Sequence, residues 1–343
     1  MNDFNPNDIG NINNNIFGLP YDTNSANIVF VPVPWDVTVS YNDGTAHAPE
    51  AIFNASFQVD LFDPIKKDAW KTGYAMTNIP KEIISKNKKL KQLSSSIIES
   101  LASGENISTS VIQKKLNIVN QGCSELNEWV AKETKKYISK NKLVGIIGGD
   151  HSSPLGFIKS LSGKHSDFGI LQIDAHADLR DAYEGFTYSH ASIMFNALKI
   201  PQVKKLVQLG IRDYCEDEHN LIQKNKKRIK TFFDRDINGK KFKGISWEKI
   251  CKEIISELPD KIYISFDIDG LDPKLCPCTG TPVPGGFDIH EIFYLFEMLV
   301  SSKKKIIGFD LCETGISKNE WDANVAARVL FKLANIMSKS NNL

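Results

Sequence analysis

The segment FGILQIDAHADLR, residues 168–180, joins an apolar run to three ionisable side chains, Asp174, His176 and Asp178, spaced by alanines. Two other segments repeat the theme. LVGIIGGDHS, residues 143–152, runs into Gly148, Gly149, Asp150 and His151, and IYISFDIDGLDP, residues 262–273, runs into Asp267, Asp269 and Asp272. Each alone has an ordinary explanation, as a glycine turn, a solvated loop start or a helix cap. Brought to one place, the carboxylates would repel, and some would be forced to take protons.

A metal cation removes that conflict. Oxygen-rich donors with two imidazoles suit Mn²⁺ or a similar divalent ion, Ni²⁺ included, and the lack of nearby thiolates argues against structural zinc. Four carboxylates (Asp174, Asp178, Asp267, Asp269) and two histidines (His151, His176) exceed what one ion needs if it keeps an open position. They suit two ions about 3.5–4 Å apart sharing bridging carboxylates. In an extended chain alternate residues face one side, so both Asp174/His176/Asp178 and Asp267/Asp269 can each aim at one point. Small residues (Ala175, Ala177, Gly270) permit close approach, and the glycine pair before Asp150 permits a tight turn. Such a centre acidifies water and suits hydrolysis of an unreactive planar carbon, with a nearby general acid for a leaving amine.

The elements that position these residues alternate regularly. Apolar runs at Leu143–Ile147, Phe168–Ile173, Leu206–Ile211, Lys261–Phe266 and Lys305–Phe309 read as strands, as does ANIVFVPVP from Ala26. Helical spacing marks 81–102, 119–140, Leu155–Leu161, His190–Leu198, Trp247–Leu258, Asp288–Val300 and Asp322–Met337. Buried strands alternating with amphipathic helices predict a three-layer α/β/α fold with a mainly parallel sheet, whose ligands lie beyond the strand carboxyl ends. Residues 1–26 are Asn-rich and aperiodic and read as a mobile or surface-lying arm. Residues 27–343 read as a single catalytic domain.

The 343 residues are 41% hydrophobic and 24% charged, with a net charge of +1, which excludes a basic or acidic excess for nucleic acid or an anionic membrane. No apolar run is long enough to span a bilayer. Met1–Asn15 lacks the pattern of a signal peptide, and the six cysteines are mostly scattered, so a cytoplasmic protein with reduced thiols is expected. Cys276 and Cys278 form one close pair, weak as a metal motif.

GGDHS, DAHADLR and SFDIDGLDP, in this order, resemble the three signature motifs of the ureohydrolases, the arginase and agmatinase family, and the likeness extends over roughly nine-tenths of the chain. The resemblance implies the arginase/deacetylase α/β/α fold, two Mn²⁺ per subunit, trimers or hexamers, and hydrolysis of a small guanidino substrate to urea and an amine. It implies that His151, Asp174, Asp178 and Asp267 hold one ion and Asp174, His176, Asp267 and Asp269 the other, with Asp174 and Asp267 as bridges. His190, in YSHAS, takes the place of the active-site histidine. Glu313, in DLCETG, takes that of the glutamate paired with the substrate guanidinium, and Asp178 is counted with the catalytic residues.

Arginases usually carry an Asn soon after the DAHxD motif, where this chain has Arg180. DLRDAYEGFTYSHAS and TGTPVPGG (residues 279–286) look closer to the agmatinase branch, so agmatine, giving putrescine in polyamine metabolism, is the expected substrate. Arg180 would conflict with agmatine's amine unless paired with Asp181 or Glu184, and that pairing is expected. Ala191 after His190, Thr-Gly-Ile after Glu313 and Cys278 before TGTP depart from the family pattern and leave free guanidine, guanidinobutyrate, arginine or a formiminoglutamase-like reaction open. Trp35, Tyr41 and Phe186 are candidates to narrow the pocket. A one-zinc deacetylase is disfavoured by the extra ligands His151, Asp174 and Asp269, and a silent regulatory relative by the presence of all six ligands.

Overall fold

The structure, a computed structural model, describes residues 4–343. Eight strands, β1 (Ile28–Val33), β2 (Tyr74–Met76), β3 (Leu143–Gly148), β4 (Phe168–Ile173), β5 (Val203–Ile211), β6 (Ile229–Phe233), β7 (Lys261–Asp267) and β8 (Lys305–Cys312), form one sheet in the order β2-β1-β3-β8-β7-β4-β5-β6. Every pairing is parallel. Among the described residues ten α-helices flank them: α1 (Ala48–Ser56), α2 (Lys81–Ala102), α3 (Ser110–Ile138), α4 (Leu155–Ser162), α5 (Ile193–Leu198), α6 (Glu216–Lys224), α7 (Asp234–Phe242), α8 (Trp247–Ser256), α9 (Ile289–Ser301) and α10 (Trp321–Ser340).

The strand pleat sorts the core. Ile170 of β4 faces the apolar stripes of α2 to α6, while Leu171 and Ile173 face α1 and α7 to α10. Both faces are therefore covered, which is why the strands read as continuous apolar runs. The helix expected from Asp288 starts there, with Asp288 and Glu291 closing a reciprocal cap.

Some elements differ from expectation. β2 is too short to show a pattern, and β6 begins within the polar KNKKRIK segment and is interrupted by Lys230. Helix α3 begins at Ser110, because Ile112 and Leu116 continue its buried stripe. Of the arm expected over 1–26, residues 1–3 lie outside the described residues, and the part from Ile16 on packs into the core. Ile16, Phe17, Leu19 and Ala26 are fully or almost fully buried. The Phe17 ring lies 5.2 Å from Phe331 and 6.3 Å from both Phe30 and Tyr74, and its backbone N–H donates to Ser56 Oγ. Burial of such a side chain stabilises by about 1.5–3 kcal/mol. It escaped the sequence reading because these apolar residues have no period.

The four central strands β3, β8, β7 and β4 end level. Ile147 pairs with Leu311, Leu311 with Phe266, and Phe266 with Ile173, forming one row across the sheet. His151, Glu313, Asp267 and Asp174 follow within four residues of that row, so the parallel register places all four on one edge.

Candidate metal centre and substrate pocket

The alternation that suggested convergence does not arise from strand pleat. β4 ends at Ile173, and Asp178 sits in a loop with a positive φ of 56°; β7 ends at Asp267, and Asp269 lies in a short 3₁₀ turn, Ile268–Gly270. Glu313, directly after β8, also has a positive φ of 61°. Left-handed backbone at non-glycine residues costs energy and is held here by the surrounding packing. In the GGDH turn, a Cβ on Gly149 would overlap the carbonyl of Trp35, to which Asp150 N donates at 2.7 Å. The second glycine is thus required by close approach, since only Gly fits between two adjoining strand ends.

The side chains do meet. His151 Nδ1 lies 3.0 Å from Asp174 Oδ2, 2.9 Å from Asp178 Oδ2 and 3.3 Å from Asp267 Oδ2. His176 Nδ1 lies 3.0 Å from Asp269 Oδ2 and 3.7 Å from Asp174 Oδ1. Donor atoms of His151, Asp174 and Asp267 all fall within 4.8 Å of one another, as do those of Asp174, His176 and Asp269. Asp174 belongs to both groups and turns one oxygen to each imidazole. Asp267 is grouped with His151, and its Oδ1 accepts from Asp269 N. Asp150 and Asp272 turn away, accepting from Ser152 and from Lys274 N.

The electrostatics fit cations. Burial, then the neighbouring carboxylates, pushes Asp178 up to about 7 and Asp267 well above the carboxylate range. Burial also acts on Asp174, but His151 and His176 outweigh it and hold that carboxyl low. Both imidazoles are driven well above their ordinary value, against burial, by the carboxylates around them. Without a cation, protons must fill the cluster. Among the described residues, the buried His151 Nδ1 and Asp269 Oδ2 face only other donor atoms of the cluster and find no hydrogen-bond partner outside it, as expected of atoms reserved for an ion.

Several supporting residues are not marked as site residues by the sequence. His151 Nε2 lies 2.9 Å from Ser265 Oγ, which donates to Asp310 Oδ2, and Tyr263 OH donates to the same oxygen at 2.6 Å. An N–H on Nε2 leaves Nδ1 free as a ligand atom. A second chain crosses three strands: Thr231 Oγ1 donates to Gln208, Gln208 to Gln172, and Gln172 Nε2 to Asp174 Oδ2 at 2.8 Å. Its signal in the sequence is a glutamine inside each of two apolar strands, LQI and VQL, where a polar group must find partners. Gln172→Leu should weaken metal affinity about 10- to 100-fold, as measured by titration of the metal-free protein. Unchanged affinity would show that Asp174 needs no such support.

A cavity of about 400 Å³ opens beside the centre, lined by His176, Asp178, Arg180, Tyr183, His190 and Asp213 among others. His190 stands half-buried on its wall. Glu313 does not line this cavity; it is buried, with Oε1 accepting from His151 N at 2.9 Å and Oε2 without a partner beside Gly280. The partner expected for Arg180 is corrected. Its Nε faces Glu218 at 3.9 Å and its guanidinium stacks on Tyr183, whereas Asp181 pairs with Lys199. Glu218 is held by Leu179 N and Cys215 N at the start of α6, a helix the sequence reading missed. Trp35 and Phe186 are core residues; of the three aromatic candidates only Tyr41, at the mouth, lines the cavity. Two departures from the family pattern meet each other, since Gly315 packs on the Cys278 carbonyl with no room for a Cβ. Cys276 is buried with its thiol against Ile268 O, and both it and Cys278 are free.

The arginase family model matches residues 26–335, and the chain belongs to that family. It is 29% identical over 289 residues to the N(1)-aminopropylagmatine ureohydrolase of Synechocystis, covering 84% of this chain and 81% of that protein. It is likewise 29% identical over 301 residues to an enzyme of that name from Thermus thermophilus, covering 87% of this chain and 86% of that protein. The solved agmatine ureohydrolase of Thermoplasma volcanium superimposes with a TM-score of 0.71 at 22% identity, over 94% of this chain and 93% of that one, and shares the fold. Among the described residues no helix is long and apolar enough to cross a membrane.

Proposed function

We propose that the protein is a dinuclear-metal ureohydrolase that releases urea from a linear guanidine, with agmatine, yielding putrescine, as the best-fitting substrate. The observation that carries this reading is Asp174, which offers one carboxylate oxygen to each of two donor groups, with Glu313 bound to His151 N through Oε1 and its buried Oε2 left without a partner. His151, Asp174, Asp178 and Asp267 would hold one ion, and Asp174, His176, Asp269 and Asp267 the other. A pair of divalent cations, Mn²⁺ by donor preference with Ni²⁺ as the alternative, supplies the Lewis acidity that brings water close to ionisation near neutral pH.

The chain's own residues do the rest. Glu313 would hold the guanidinium, whose paired N–H donors match a carboxylate. His190 is pushed down to about 4, by burial first and then by charge on His176 and His151, so its imidazole is neutral at pH 7. A group held that low takes up a proton poorly at pH 7; with His176 and His151 neutral as metal ligands, part of this depression would be lifted, and the imidazole on the cavity wall could then pass a proton to the leaving amine. Arg180 is neutralised by Glu218 and does not oppose a cationic tail.

N(1)-aminopropylagmatine is a second reading. The names of the two relatives suggest it, and the mouth of the cavity, where Tyr41 and Tyr214 stand exposed, leaves room for a longer tail. The same reading places the protein in polyamine metabolism as a cytoplasmic homo-oligomer, a trimer or hexamer. The test is urea release from agmatine, N(1)-aminopropylagmatine, arginine, guanidinobutyrate and guanidine, with Mn²⁺ and Ni²⁺ in turn. Urea from the amine-tailed compounds supports the proposal; urea from none, with no metal bound, overturns it.

A further inference from the structure

We propose that Asp213 selects the substrate's tail, its carboxylate receiving a cationic group carried a short methylene chain away from the guanidinium. This rests on the ureohydrolase reading and assigns a residue that no motif marks. Asp213 follows β5, and its backbone is fixed against the DAHAD loop: Asp213 N and Arg212 N both donate to Ala175 O, and Asp213 is bridged to His176. The side chain lines the cavity and is 68% exposed, with Oδ2 3.9 Å from His176 Nε2. One imidazole ring therefore separates it from the metal donors, an offset suited to the tail of a linear guanidine.

Charge balance isolates this carboxylate. The other acids lining the cavity are engaged: Asp178 with His151, and Glu218 with two backbone N–H groups and Arg180. Arg212, next in sequence, spends its guanidinium on the carbonyls of Gly210, Asp269, Leu271 and Val283. Among the described residues His176 is the basic side chain that approaches Asp213, through Nε2, while its Nδ1 faces Asp269. Four carboxylates offset two dications, Glu313 offsets the guanidinium, and Glu218 offsets Arg180. Asp213 remains as one negative charge on the wall, which favours an ammonium tail, disfavours a carboxylate tail and supplies no partner to a tail-less guanidine.

The readout is the ratio of kcat/KM for agmatine to that for 4-guanidinobutyrate, measured on the metal-loaded enzyme together with its metal content. Asp213→Asn should lower this ratio about threefold to tenfold, mainly through a higher KM for agmatine, as befits a partly exposed charge pair. Asp213→Lys should lower it further. A ratio unchanged in both variants overturns the assignment. So does an equal loss on all substrates with reduced metal content, which would place the role of Asp213 in supporting His176. Urea from no guanidine in the unaltered enzyme would instead overturn the ureohydrolase reading itself.

Discussion

Asp174→Asn should strip metal from both positions and lower urea release by roughly a thousandfold or more. The buried Asp174 carboxylate turns Oδ2 to His151 and Oδ1 to His176. An amide keeps one oxygen, loses the charge and points N–H₂ at one of the two sets. One donor group then lacks an anionic ligand and presents a hydrogen-bond donor where an ion would sit. Loss at both positions is the informative part, because replacement of a ligand to one ion would spare the other. Elemental analysis beside turnover checks it, and a variant with full metal content and normal turnover would refute the bridging role. Asp174 is the carboxyl of the cluster that His151 and His176 hold low, so losing its charge should also lower the thermal midpoint of the metal-free protein near neutral pH, and an unchanged midpoint would count against this account.

Glu313→Gln should separate binding from folding. In the free protein, burial and then nearby Asp150 drive the Glu313 carboxyl well above its ordinary value, so its charged form is disfavoured until a cation arrives. Glutamine can still accept from His151 N through its Oε1 oxygen, which preserves the GGDH turn. It cannot offer a charged pair of oxygens to a guanidinium. Loss of one partner of a buried, charge-assisted pair costs several kcal/mol, so kcat/KM should fall about 10²- to 10³-fold while thermal stability holds or rises slightly. The sign follows from the raised value: a carboxyl that is hard to ionise in the fold destabilises it as pH climbs above the ordinary carboxylate range, and the amide removes that burden. Steady-state kinetics and a melting curve near pH 7.5 suffice as checks. Undiminished kcat/KM would remove Glu313 from the substrate site.

The chemistry is more legible in the sequence than its geometry. Asp, His and Asp at a strand end announce themselves because few roles tolerate them there, and six such residues in three segments narrow the possibilities to cations. Strand pleat alone suggests their convergence, whereas it depends on a left-handed Asp178 and a 3₁₀ turn at Asp269. Such backbone excursions leave no periodicity. Gln172 and Gln208 are visible as polar residues in apolar strands, but only the cross-strand register shows that they line up toward Asp174. Sequence neighbours offer Arg180 the acids beside it, while Glu218 reaches it from α6, 38 positions on. Elements with weak amphipathy, β2, β6 and α7, escape for the same reason: their place is set by neighbours already packed.

The strand order gives β8 a further significance. Made last of the eight, it lies between β3 and β7 and is the one strand joining β2-β1-β3 to β7-β4-β5-β6. A nascent chain lacking it holds two half-sheets with unsatisfied inner edges, His151 on one and Asp174, His176, Asp267 and Asp269 on the other. Neither half contains both imidazoles, so the shared site is assembled only when the keystone strand docks. Ion uptake would then report completion of folding, and a ribosome stalled before Lys305 would carry the ligands with no geometry to use them.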